Sequence, residues 1–551
     1  MDYSSDICYP ILDVGSVMQW KCNGNCWIDK YGVSDLCDNT KFVSVGQLLD
    51  VREKTTVFPE YKLKQCLVPK TVFCHDFKGG YLEDKFCNGS PDINTYRFFN
   101  WSVIDIFIYF SHKLVTIPPH GWLDAGHKHG VPVLGTLITE WGEGENIWNY
   151  ILSDPEKTSL FSQKLAEICA HFKFDGYLLN VENKVAQDLV APLVNFVGLL
   201  KSHLDLYCKR KTWLLWYDSV TVEGKLDWQN KLCPLNKLFF DKCDGIFLNY
   251  VWTPSGLADT LTEAGNRKLD VYVGVDVWGR NCYYDGGFNL DKALGLLRSM
   301  NMSVAIFATG WTFEAASPEL FIERETSFWN KLSRFLFVHG PANLPFHTNF
   351  CQGIVMNGNT PWFQLSAQQY QPSYQPCGTT AGCVSFCEQS CLRVRATSHS
   401  HSKLFHRVFV CDFSGNGQDL DVELCLRNSP TEPAKKFQIY FILEDKRGIE
   451  GKQGVNMSTT PKGYRSMVEL EGLRVVASVM DFTEENLYNE SKILSKPTEE
   501  KGTWQRVVFT LKMAPSSSLT EILVLPPPSG SVLWGTVGVH VASPSIAELS
   551  A

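Results

Sequence analysis

No stretch of this 551-residue chain approaches about 18 uncharged apolar residues, so the sequence predicts no transmembrane helix and no membrane partner. A surplus of positive charge is also missing. Lys and Arg number 51 against 59 Asp and Glu, a formal charge of −8, which argues against a nucleic-acid partner. The opening Met1-Asp2-Tyr3-Ser4-Ser5-Asp6 lacks the basic-then-apolar pattern of a secretory signal. The 19 cysteines are therefore expected to be reduced thiols in the cytosol. Sequons such as Asn88-Gly89-Ser90, Asn100-Trp101-Ser102 and Asn456-Met457-Ser458 would go unused. Metal-site spacing is missing as well. Cys22 and Cys26 could belong to a metal site, but no partner pair at zinc-finger spacing follows. The group Cys377, Cys383, Cys387, Cys391, His399 and His401 matches no standard site and reads as a mobile loop with reduced thiols. No metal and no cofactor is expected. There is no internal repeat, and 451–455 and 526–530 read as plain turns.

Aromatic residues are plentiful, at 13%, which fits a core rich in rings and is compatible with sugar stacking. The length calls for two or three domains. Between about 70 and 310, short β-branched and aromatic runs alternate with helix-period segments. The runs are 71–74, 104–110, 131–137, 176–181, 213–216, 245–248, 269–275 and 304–307. Segments such as 163–172, 186–204, 257–265 and 290–299 between them carry apolar residues at three- and four-residue spacing. Eight such alternations predict a (β/α)8 barrel over 66–345. Residues 1–65 show no strong periodicity and read as an irregular, cysteine-dotted leader packed on the barrel. From 346 to 551 apolar and polar residues alternate between Gly, Pro, Asn and Ser, which predicts an accessory β-sandwich that could bind carbohydrate or shield the barrel's flank.

The strand tips carry the chemistry. One apolar run after another ends in an aromatic, an amide or an acid: Glu140-Trp141, Tyr217-Asp218, Asn249-Tyr250-Val251-Trp252, Asp276-Val277-Trp278, Thr309-Gly310-Trp311. In a parallel barrel those tips surround the active-site mouth. Phe174-Asp175-Gly176-Tyr177-Leu178-Leu179-Asn180-Val181-Glu182-Asn183 is the most informative of them. Side chains at i and i+2 of a strand share a face, so Leu178, Asn180 and Glu182 point the same way. Most glycosidases need two carboxylates, but Glu182 has an amide for a neighbour. An amide cannot serve as nucleophile or base. It can hold a substrate's acetamido group by hydrogen bonds. That suits substrate-assisted retention, in which the acetamido oxygen of an N-acetylglucosamine attacks its own anomeric carbon.

The same stretch shares Asp175, Gly176 and Glu182 with the chitinase pattern Asp-Gly-x-Asp-x-Asp-x-Glu but has Leu178 and Asn180 where acids would stand. The fuller match lies elsewhere. His75-Asp76-Phe77-Lys78-Gly79-Gly80-Tyr81, Val115-Thr116-Ile117-Pro118-Pro119, Thr139-Glu140-Trp141, Asn180-Val181-Glu182-Asn183, Leu215-Trp216-Tyr217-Asp218-Ser219-Val220, Tyr272-Val273-Gly274-Val275-Asp276 and Phe307-Ala308-Thr309-Gly310-Trp311 follow in order. Over about 70–350 the sequence resembles glycoside hydrolase family 85. The resemblance implies a barrel followed by β-sandwich domains. The implied reaction is hydrolysis between the two N-acetylglucosamines of the N-glycan core, on free oligosaccharides or glycopeptides, with transfer to other acceptors. It also implies Glu182 as general acid/base, Asn180 as the residue orienting the acetamido group, and Tyr217 as a contact to that group or its oxazoline. Glu140, Asn249 and Asp276 are candidates for sugar hydroxyls, and Trp141, Trp216, Trp252, Trp278 and Trp311 for stacking, although rings at these positions equally plug barrel ends. His75 and His112 read as strand caps. A chitinase acting on polymer and a non-catalytic carbohydrate-binding barrel are the alternatives.

Overall fold

In the computed structural model the described residues are 6–41 (apart from 23 and 25), 68–372, 379–381, 391–395, 406–428, 436–445, 464–465, 474–483, 492–493, 504–525 and 529–542. Eight parallel strands close a barrel: β1 (Thr71–His75), β2 (Ile106–Tyr109), β3 (Val133–Glu140), β4 (Gly176–Glu182), β5 (Trp213–Tyr217), β6 (Gly245–Leu248), β7 (Val271–Asp276) and β8 (Ser303–Phe307). Each pairs with its sequence neighbour, β2 with β3 through Ile108 opposite Leu134, and β8 returns to β1, with Phe307 opposite Cys74, to close the ring. All eight predicted runs are strands. β3 extends beyond its predicted run through Ile138, Thr139 and Glu140, which carries Glu140 level with Glu182 of β4.

Strand alternation divides the apolar residues into two cores. Leu178, Leu215, Phe247, Ile108 and Ala305 fill the barrel's interior, while Tyr177, Leu179, Leu214 and Trp216 face the surrounding helices. Gly176 opens β4 with φ +125, and a Cβ there would meet the Trp213 carbonyl oxygen at 1.9 Å, so only glycine allows β4 and β5 to approach this closely. The helix Val190–Tyr207 belongs to a segment, Gln187–Tyr207, long and apolar enough by composition to cross a membrane. Here it is a barrel helix with Leu193, Phe196, Val197, Leu200 and Leu204 buried.

The leader is more regular than its sequence suggested. Asp13 caps the short helix Val14–Met18, a second helix covers Trp27–Tyr31, and strand Asn39–Lys41 pairs antiparallel with His339–Pro341. Cys8, Ile11, Val17, Trp27 and Ile28 are buried in the same core as the barrel helices. After the barrel, two antiparallel sheets face each other. Ser531–Val541 and Leu420–Asn428 lie at the centre of one, and Lys436–Asp445 and Ser517–Leu525 at the centre of the other. Val422, Leu424, Phe441, Ile522, Trp534 and Val537 fill the space between them, as a sandwich requires. Of the cysteine-histidine group at 377–401 only Cys391 falls within the described residues, where it is buried. Cys377, Cys383, Cys387, His399 and His401 lie outside them, as do the turn at 451–455 and most of that at 526–530.

Candidate active site

At the C-terminal ends of the strands the barrel opens into a cavity of about 250 Å3. Leu178, Asn180 and Glu182 line it together, as the alternation of β4 demands, and Tyr217, Asp276 and Arg280 join them from β5, β7 and the loop after β7. Phe110, Phe247, Tyr250 and Phe307 supply apolar wall.

Glu182 sits in a setting that favours its neutral form. Burial pushes its carboxyl above the usual range, and the nearby Glu140 charge adds to that. A hydrogen bond from the Trp228 indole, another from Asn180 and the proximity of His112 pull the other way. Trp228 Nε1 donates to Glu182 Oε1 at 3.3 Å. Asn180 is 3% exposed, and its Oδ1 has no hydrogen-bond partner among the described residues. A buried acceptor left unmatched costs about 1–3 kcal/mol, so it marks a place where a partner is expected.

Tyr217 points into the cavity with its hydroxyl donating to Asn249 Oδ1 at 2.8 Å, and Asn249 in turn donates to Asn230 Oδ1 at 2.8 Å. Burial raises the Tyr217 phenol well above its ordinary value, so it stays a neutral donor. Asp276 is 1% exposed and bonded through both oxygens: Arg280 Nε donates to one at 2.8 Å and the Trp278 N–H to the other at 3.1 Å. Glu140 lies at the cavity's edge, where His112 Nδ1 comes within 3.2 Å of its carboxylate. His112 lines the cavity, and that hydrogen bond raises its pKa, a placement the strand-cap reading did not foresee. His75 is no cap either. It is buried among Phe73, Tyr96 and Trp122, which holds its pKa down at about 3.

The five tryptophans divide sharply. Trp141 is 64% exposed at the mouth, with a strained φ of +48, and Trp278 is 42% exposed beside Asp276. The other three are placed in packing, the plugging alternative of the sequence reading. Trp216 is fully buried and stacks on Phe239 at 4.0 Å, because its place on β5 alternates with Tyr217 and faces the helix layer. Trp252 is buried too, donating to the Gly274 carbonyl at 2.7 Å and packing on Tyr283. Trp311 packs between Phe288 and Phe328 with Arg324 over its ring at 4.6 Å. None of the five is among the residues that line the cavity. The residues missed were Trp228, Tyr250, Asp76 and Arg280. Asp76 and Tyr250 sat in motifs already noticed at strand tips, whereas Trp228 lies on the loop after β5, where no periodicity marks it.

A (β/α)8 barrel with an acid, an amide and a phenol gathered at its C-terminal mouth has the architecture of a glycoside hydrolase. The sequence profile of glycosyl hydrolase family 85 matches residues 81–357, half of the chain, and the chain belongs to that family. It is 43% identical over 315 residues to a human protein named cytosolic endo-beta-N-acetylglucosaminidase, covering 56% of this chain and 42% of that protein. To the Gallus gallus protein of the same name it is 42% identical over 343 residues, covering 60% and 47%. The chain thus matches somewhat less than half the length of these relatives. A crystal structure of the Spr0440 glycoside hydrolase domain, Endo-D from Streptococcus pneumoniae R6, superposes with a TM-score of 0.70 at 15% identity, covering 98% of this chain and 84% of that one, which shows a shared fold.

Proposed function

We propose that the chain is an endo-acting, retaining glycosidase that cleaves the β-1,4 bond between the two N-acetylglucosamines of the N-glycan core. The observation that carries this is the pairing on β4 of one half-buried acid with a buried amide whose carbonyl oxygen is unmatched. Asn180 Oδ1 accepts the N–H of the substrate's 2-acetamido group and aims its carbonyl oxygen at the anomeric carbon. That oxygen forms the new bond to C1 as the glycosidic bond breaks, and Glu182 delivers its proton to the departing oxygen. An oxazolinium ion that keeps its N–H results, the protonated form of the oxazoline. Glu182, now a carboxylate, takes a proton from water as the water's oxygen bonds to C1 and opens the ring, and two inversions at C1 give net retention. An acceptor hydroxyl in place of water gives transglycosylation. Tyr217, a neutral phenol, turns its single O–H from Asn249 Oδ1 to the acetamido oxygen as substrate binds.

Asp276 is the obvious rival second carboxylate, but its bonds to Arg280 and a backbone N–H suit an anchor for sugar hydroxyls better than a nucleophile. Exposed Trp141 and Trp278 stack on sugar faces at the mouth, and Glu140 with His112 hydrogen-bonds the glycan. Substrates are free oligosaccharides or glycoproteins in the cytosol, in line with the names of the relatives and with the free thiols among the described cysteines. The barrel of roughly 66–345 carries the reaction, and the β-rich 346–551 shields its flank. Incubation with a high-mannose glycopeptide and, separately, a chitin oligomer is the test. Mass analysis should find peptide bearing a single N-acetylglucosamine. Cleavage of chitin with the glycopeptide intact would point instead to the chitinase reading.

A further inference from the structure

Cys22 and Cys26 lack a sequence partner for a metal site, but the fold provides one from 145 residues away. His171, in the last turn of the helix Pro155–Phe172, reaches the leader just before β4 begins. Its Nε2 lies 3.0 Å from Cys26 Sγ, which is 3.2 Å from the Asp29 carboxylate. The ligand atoms of Cys26, Asp29 and His171 all fall within 4.8 Å of one another. On the ring's other side Cys22 Sγ is 3.3 Å from Nδ1. Trp20 packs on the His171 ring at 5.4 Å and Trp27 on Phe172 at 5.4 Å, so the cluster is held by surrounding aromatic contacts.

Bonds of about 2.0–2.3 Å from a tetrahedral zinc ion place neighbouring ligand atoms roughly 3.3–3.8 Å apart. The two short separations here would widen by only a few tenths of an ångström to admit an ion. We propose that Cys26 Sγ, the Asp29 carboxylate and His171 Nε2 bind a zinc ion, with water in the fourth position. Cys22 accepts the Nδ1–H of His171 and thereby fixes the tautomer that leaves Nε2 free, the outer-shell task usual for a metal-bound imidazole. Thiolate and imidazole together select zinc over magnesium or calcium, which take oxygen ligands. The position, at the end of the barrel opposite the cavity, makes the ion a staple between leader and barrel, outside the reaction.

The full chain, stripped of metal by a chelator, would be titrated with Co2+ and then with Zn2+. One equivalent of Co2+ should produce a thiolate-to-cobalt charge-transfer band and visible bands of tetrahedral intensity, both removed by Zn2+, and Zn2+ should raise the melting temperature. Cys26→Ser and His171→Ala should abolish the band, and Cys208→Ser should keep it. Cys22→Ser should weaken affinity by about 10–100-fold. Lack of a band at one equivalent in the wild-type chain would overturn the site without recourse to any variant. A band surviving in a folded Cys26→Ser protein would assign the thiolate to another cysteine and overturn it equally.

Discussion

The two ends of β4 present the same kind of chemistry in opposite conditions. At the N-terminal end Asp175 is fully buried and fully matched. His127 Nε2 meets one of its oxygens at 2.7 Å, the Val133 N–H donates to the same oxygen at 2.8 Å, and Arg210 Nε donates to the other at 2.6 Å. Burial alone would raise its pKa, but the charges of His127 and Arg210 overcome that and hold it low. At the C-terminal end burial wins: Glu182 is raised, and its neighbour Asn180 keeps a buried oxygen without a partner. The two acids stand seven positions apart within one sequence motif. A saturated carboxylate is a structural tie, and an acid beside an unmatched buried acceptor is where a substrate completes the hydrogen bonding.

Substitutions at the two ends should therefore fail in different ways. Glu182→Gln is expected to reduce glycopeptide hydrolysis by at least about 10²–10⁴-fold, the usual share of general acid–base catalysis, with an unchanged thermal transition. Near-normal turnover would remove Glu182 from the chemistry. Asp175→Ala leaves Arg210 and His127 around a hole and should cost about 3–5 kcal/mol in denaturant unfolding, the range for breaking a buried ion pair. A wild-type unfolding midpoint would mean that the lower end of β4 is not the tie described. Tyr217→Phe should lower kcat by about 10²-fold, as for loss of one preorganised donor, with little change in stability. Equal loss of kcat and of folded protein would make the phenol a packing residue.

The smallest effect should appear in the pH profile of Trp228→Phe. The indole N–H stabilises the ionised Glu182, so its removal raises the carboxyl pKa further. Bond cleavage needs the protonated acid. The alkaline limb of kcat/KM should thus move to higher pH, and a move to lower pH would show that the indole does not act on this carboxyl.

How much of this was legible beforehand follows from strand geometry. Period-two alternation put Leu178, Asn180 and Glu182 on one face, and the eight-strand rhythm placed their tips at the mouth. The same rule, applied to β5, would have assigned Trp216 to the helix layer once Tyr217 was turned inward. Its placement among the sugar contacts weighed residue type above register. Trp252 and Trp311 lie past the strand ends, where no period fixes a direction, and tertiary packing draws Trp252 into the core and Trp311 against it. Trp228 and the His171 cluster depend on chain segments meeting across 46 and 145 residues, which a linear spacing rule cannot register.

The most direct test of the unmatched amide compares two substrates in one variant. Asn180→Ala should lose most hydrolysis of a natural glycopeptide, because the acetamido oxygen is no longer aimed at C1, a positioning effect that can be worth several kcal/mol. A preformed sugar oxazoline has already passed that step. Its reaction, with Glu182 still present to activate the acceptor, should be retained at least in part. If Asn180→Ala loses the oxazoline reaction as completely as the hydrolytic one, with a normal thermal transition, the amide does not orient the acetamido group and the division between the two ends of β4 does not hold.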